Sequence, residues 1–73
     1  MSDKMGNEVI FIVEEAPGGG YTARALGEHI FTEADSLEEL RAKVQDAVAC
    51  HYEVDRRPAL IRLHFIREEI IMI

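Results

Sequence analysis

Five residues near the start of the chain, Val9-Ile10-Phe11-Ile12-Val13, are apolar without interruption. The stretch Glu8 to Glu15 around them is short and rich in β-branched and aromatic residues, which predicts a strand. Side chains alternate along a strand, so Val9, Phe11 and Val13 share one face and Ile10 and Ile12 the other. A strand that is apolar on both faces belongs at the centre of a sheet or under cover on both sides. The rest of the 73 residues must build around it.

Residues 1–7 carry no pattern and read as a flexible tail. Ala16 to Gly20 reads as a hairpin turn, since Pro17 fixes φ and the glycines permit positive φ. A glycine run can also cradle phosphate, but only where it opens a helix. This one opens Tyr21 to Leu26, which alternates like a second strand. Gly27 breaks the chain, and Ile30 to Thr32 predicts a third strand. Ser36 and Glu39 then form a capping box: the Ser36 hydroxyl takes the Glu39 N–H, and the Glu39 carboxylate reaches back to Ser36 N–H. A helix follows from about Leu37 to Tyr52. Its apolar stripe is Leu37, Leu40, Val44, Ala47, Val48 and either His51 or Tyr52. Pro58 forbids continuation. Ala59 to Phe65 alternates again, with Ile61, Leu63 and Phe65 on one side and Leu60, Arg62, His64 and Ile66 on the other. Ile70 to Ile73 either extends that strand or forms a short fifth one after a bulge near Arg67.

The fold class that follows is α+β: a two-layer β-β-β-α-β domain, mostly antiparallel, with one helix on one face of the sheet. One helix covers one face. Ile10, Ile12, Leu60 and Ile66 lie on the other, and Ile71 and Ile73 add to the apolar surplus, so these six are the candidate partner or dimer interface. Size makes the surplus more telling. A domain this short buries only about 60% of its unfolded surface, and small domains often need a disulfide, a metal or a partner. The single cysteine, Cys50, excludes an intrachain disulfide. A homodimer or larger oligomer is therefore expected.

The chain carries a formal charge of −6. Residues 1–39 hold nine acids against Lys4 and Arg24, while residues 40–73 hold five acids against six bases. An acidic field opposes phosphate and favours a basic partner, so nucleic acid is not an expected ligand of this chain alone. Glu28 and Glu33 are candidate contacts for such a partner. No apolar run reaches the roughly 20 residues that span a bilayer, and no signal-peptide core is present at the start. With one free cysteine, these features read as cytoplasmic.

No reaction is spelled out. Zinc wants three or four ligands, usually at paired spacings. Cys50 and His51 are adjacent and diverge by about 100° on a helix, while His29 and His64 are distant in sequence. No metal or other cofactor is expected. Cys50 lies near the negative end of the helix dipole, an unfavourable place for a nucleophilic thiolate, and reads as a small semi-buried apolar residue. The pairs Glu38–Glu39 and Glu68–Glu69 are sequence neighbours that diverge rather than converge. Arg56 and Arg57 read as cations at the helix C-terminus. No catalytic residue is assigned, and the chain reads as a non-enzyme.

The stretch Gly19 to Val48, with its Thr32-Glu33-Ala34-Asp35-Ser36-Leu37-Glu38-Glu39 step into a helix, resembles the HicB-like family. Pro58 to Ile73 resembles the end of that family's small single-domain members. The resemblance spans about Val9 to Ile73. It implies a truncated ribonuclease H-like β-β-β-α-β fold without the nuclease carboxylates. It also implies antitoxin-like binding of a small basic messenger-RNA-cleaving toxin. The archetypes carry a further DNA-binding domain. None is read after Ile73, so operator binding by this chain alone is not expected. The runner-up readings are a small dimeric domain of another role and a remnant ribonuclease H-like nucleic-acid binder.

Overall fold

The computed structural model describes residues 7–73; the flexible tail expected over residues 1–7 lies, but for Asn7, outside them. The elements are β1 (Glu8–Glu15), β2 (Tyr21–Ala25), β3 (Phe31–Ala34), α1 (Leu37–His51) and β4 (Leu60–Phe65), with one 3-10 turn at Val54–Arg56. The sheet order is β3-β2-β1-β4. β1, β2 and β3 pair antiparallel, and β4 pairs parallel to β1. The α+β class and the single helix over a mostly antiparallel sheet are those expected. β1 is central, as its two apolar faces require.

Register explains the core. Phe11 sits opposite Ala25 and Val13 opposite Ala23, while Val9 and Phe11 oppose Ile61 and Leu63 on the other side. Small alanines on β2 leave room for the helix to settle onto Phe11. Leu40, Val44 and Val48 fill that space, and Phe11, Val13, Leu40 and Val44 are fully enclosed. Each such side chain contributes about 1.5–3 kcal/mol through burial. Leu37, Ala47 and Tyr52 pack around the edge. Of the two residues that could close the stripe, Tyr52 packs inward and His51 is exposed.

The turns differ from expectation in detail. Ala16 and Gly20 close the first hairpin, Ala16 N–H to Gly20 O at 2.9 Å. Gly20 has φ +84°, and a Cβ there would come within 2.7 Å of the Ala34 carbonyl oxygen. This glycine is thus required twice, by conformation and by space. The third strand lies slightly later than Ile30 to Thr32. Ile30 itself ends the loop, its carbonyl accepting from Ala25 N–H, and is buried.

Helix capping follows the sequence with one shift. Glu39 N–H donates to Ser36 Oγ at 3.1 Å, but the Glu39 carboxylate accepts from Asp35 N–H, at 3.2 Å, rather than from Ser36. At the other end Arg57 donates to the Ala49 carbonyl, satisfying one of the last helical carbonyls. Cys50, expected half-buried, is exposed, because it falls about 100° per residue away from the buried Val48 stripe.

The possible fifth strand does not form. β4 ends at Phe65, and residues 66–73 have no regular structure. Ile66 N–H still donates to Val13 O at 2.9 Å. Beyond that point β1 has only Glu14 and Glu15 left before the 16–20 turn, too little to pair with residues 67–73.

Candidate interaction surface

The helix covers β1, β2 and β3 but not all of β4. On its helix side β4 offers Ile61 and Leu63, half-buried, and Phe65, 54% exposed. On its outer side it offers Leu60, 48% exposed, with Ile66 at 50% just beyond. Ile71 and Met72 are 79% and 87% exposed. An apolar band therefore runs along β4 and out over residues 66–73, open on both faces.

Two clefts flank this band on the helix side. One, of about 400 Å³, lies between α1 and the start of β4, lined by Val48, Ala49, Arg57, Pro58 and Ile61 among others. The other, of about 930 Å³, lies at the far end of β4 between Val13, Tyr21, Leu37 and Phe65. Both are open troughs of mixed lining, apolar side chains beside Gln45 and Arg57 in the first and beside Glu14, Glu15, Arg67 and Glu68 in the second.

The open face of the sheet carries Ile10 and Ile12, both half-buried, with Phe31 at its edge, 62% exposed. Polar residues divide it. Arg62 donates from Nε and Nη2 to Glu8 Oε1 at 2.9 and 2.8 Å. By the register, Ile12 lies between Arg24 and His64.

The sequence candidates thus separate into three places. Ile10, Ile12, Leu60, Ile66 and Glu33 lie on the open face or its β4 margin. Ile71 and Ile73 stand free in the final segment. Glu28 lies in the β2–β3 turn on the helix side, where its carboxylate meets His51 Nε2 at 3.0 Å. It is already engaged within the chain. Tyr52 beside it has its phenol pushed above the ordinary value of 10.0, first by burial and then by the charge of Glu28. Phe65, which alternation placed with Ile61 and Leu63 on one side of β4, is a further candidate, and the helix-side clefts were not foreseen. The clue was available: a single helix lying along the strands is only about 10–12 Å across, too narrow to cover four strands at roughly 4.8 Å spacing.

The two sheet edges are built differently. β3 is four residues long, and Lys43 Nζ donates to the Glu33 carbonyl on it at 3.1 Å. A short edge bearing a lysine is a known guard against strand addition. β4 is six residues long and carries neither lysine nor proline.

Among the described residues no group of three or more His, Cys, Asp or Glu is placed to hold a metal ion. No helix there is long and apolar enough to cross a membrane. No family model matches the chain, and no solved structure matches it. Two relatives do. A UPF0150 protein of Archaeoglobus fulgidus is 64% identical over 52 residues, covering 71% of this chain and 77% of that protein. A UPF0150 protein of Thermotoga maritima is 33% identical over 66 residues, covering 90% of this chain and 93% of that protein.

The chain belongs to the UPF0150 family. The Thermotoga relative aligns over nearly its whole length, so the UPF0150 unit includes β1 to β4 together with most of the flanking residues. The family name carries no chemistry, and the functional reading rests on the surface just described.

Proposed function

We propose that this UPF0150 chain is a non-enzymatic, self-associating protein-interaction module of HicB-like type, acting in the cytoplasm. Its proposed partner, besides a second copy, is a small basic messenger-RNA-cleaving toxin held in an antitoxin-like way. The observation that carries the reading is the apolar band along β4. A free edge strand with exposed apolar residues on both faces is an aggregation hazard unless something covers it. The charge supplies the sign of a heterologous partner. A net charge of −6 steers a basic protein toward the chain and repels phosphate. The ribonuclease H-like ancestry belongs to the same proposal, with the strand order serving as scaffold rather than as nuclease.

The test looks for a small basic protein encoded beside this chain, mixes the two and assays RNA cleavage; absence of any such neighbour removes the toxin from the proposal. The expected result is co-elution of the two and loss of RNA cleavage at equimolar ratio. Binding should weaken as salt rises to about 0.5 M, as screening shortens the reach of the acidic field. Undiminished cleavage with no co-elution removes the toxin from the proposal. RNA cleavage by this chain itself, abolished by mutating one acid, removes the non-enzymatic reading.

A further inference from the structure

We infer that two copies of this chain pair antiparallel along their β4 edges about a two-fold axis at Phe65, and that residues 70–73 of each copy dock on the other. The inference rests on the self-association proposed above and assigns it a surface and a register.

The edge is available in the right phase. Ile66 N–H bonds to Val13 O, so even-numbered residues turn their backbone groups toward β1. The odd-numbered Ile61, Leu63 and Phe65 turn theirs to the free side. An antiparallel pair needs opposed residues with both groups facing the partner. A two-fold axis at Phe65 supplies this: Phe65 opposes Phe65 of the second copy, Leu63 opposes Arg67, and Ile61 opposes Glu69.

The side chains between these agree with the same register. Leu60 falls opposite Ile70, His64 opposite Ile66, and Arg62 opposite Glu68. No like charges meet. Arg62 uses only Nε and Nη2 on Glu8, and a guanidinium has five N–H donors, so donors remain for the second copy's Glu68. Moving the axis to Arg67 would place arginine against arginine. Moving it to His64 would oppose even-numbered residues, whose backbone groups are already turned to β1.

Charge also favours a second copy here over elsewhere on the molecule. Residues 60–73 hold two arginines and two glutamates, and so are neutral within a chain of −6. Two acidic copies repel least where each is locally neutral. The β3 edge, by contrast, is short and carries Lys43 at its Glu33 carbonyl.

The register also gives the final residues a destination. Past Ile70 the second copy's β4 has ended at Leu60 and its Ala59 N–H is turned to Asn7 O at 2.7 Å, so Ile71 and Ile73 leave the ladder beside residues 57–59, on the helix side. That is the 400 Å³ cleft lined by Val48, Ala49, Pro58 and Ile61. Ile71 and Ile73, which stand exposed in the single chain, would fill it reciprocally. The two sheets would then join into one of eight strands with Phe65 at its centre.

The experiment is light scattering and sedimentation on the full chain, with variants. The expected wild-type mass is that of two chains. Ile71→Asp with Ile73→Asp is expected to raise the dissociation constant at least tenfold with unchanged circular dichroism, since these side chains stand free of the folded body. Glu68→Arg, which sets a second arginine against Arg62, should weaken the dimer. In a Cys50→Ser background, Leu60→Cys with Ile70→Cys should give an interchain disulfide. A wild-type monomer overturns both self-association and this interface. A dimer that survives the Ile71 and Ile73 changes leaves self-association standing and overturns the interface. An intrachain disulfide between positions 60 and 70 overturns it too, because the segment would then fold back on its own β4.

Discussion

Ser36 is the residue at which local chemistry is most fully expressed. Its hydroxyl holds the N–H of Glu39 and satisfies one of the orphan donors of the first turn. Ser36→Ala should lower unfolding stability by about 1 kcal/mol, read as a shift in the denaturant midpoint at unchanged slope. The reach of Glu39 to Asp35 rather than to Ser36 could not be foreseen, because it depends on the path by which β3 enters the helix. Tyr52 makes a second prediction at this scale. Its phenol titrates above 10.0 in the folded chain, so the folded state holds that proton more tightly than the unfolded state. The resulting stabilisation is present below pH 10 and is lost as pH rises through the folded value. Thermal midpoints taken between about pH 9 and 11 should fall for the wild type and fall less for Tyr52→Phe. Equal falls would show that another group carries the alkaline transition.

At the scale of elements, the first hairpin and the helix each depend on one position that tolerates little. Gly20 combines a positive φ with a carbonyl at 2.7 Å from any added Cβ. Gly20→Ala should therefore cost more than the roughly 1 kcal/mol of a strained backbone alone, and a midpoint within error of wild type would contradict the close approach. Leu40 is wholly enclosed over Phe11. Leu40→Ala should cost about 2–5 kcal/mol, a large part of the 5–15 kcal/mol that holds a typical domain folded. The elements themselves were legible: alternation marked β1, β2 and β4, and the three-and-four spacing marked α1. The short β3 was displaced because its limits come from pairing with Tyr21 to Arg24, not from its own composition. The exposure of Cys50 was legible but missed: two residues past the buried Val48, it lies about 200° round the helix from that side chain.

At the scale of the whole molecule, one helix on a four-stranded sheet leaves β4 half-clothed. Under the proposed pairing of β4 edges, association becomes part of folding. The thermal midpoint should accordingly rise with protein concentration, because a partner that binds only the native form adds to its stability by mass action. A midpoint constant over a hundredfold dilution would count against an obligatory dimer. The candidate surface was partly legible at this scale. Ile10 and Ile12 lie on the face away from the helix, as expected, whereas Leu60 and Ile66, at the two ends of β4, also line the helix-side clefts. Phe65 was left out of the candidate surface, because alternation reports which side a residue faces but not whether anything stands there.

Read alone, the sequence determined the α+β class, the central position of β1, the single capped helix and the surplus of apolar side chains. These follow from periodicity, capping and composition, which act between near neighbours in the chain. Only the tertiary structure decided that β4 runs parallel to β1 at an unguarded edge, that Lys43 sits on the opposite edge, that Glu28 is taken by His51, and that residues 66–73 find no strand within their own chain. Each of these depends on which distant segments come together. That is set by how one helix fits over alanine-lined β2, a property of the packed layers that no short stretch of residues contains.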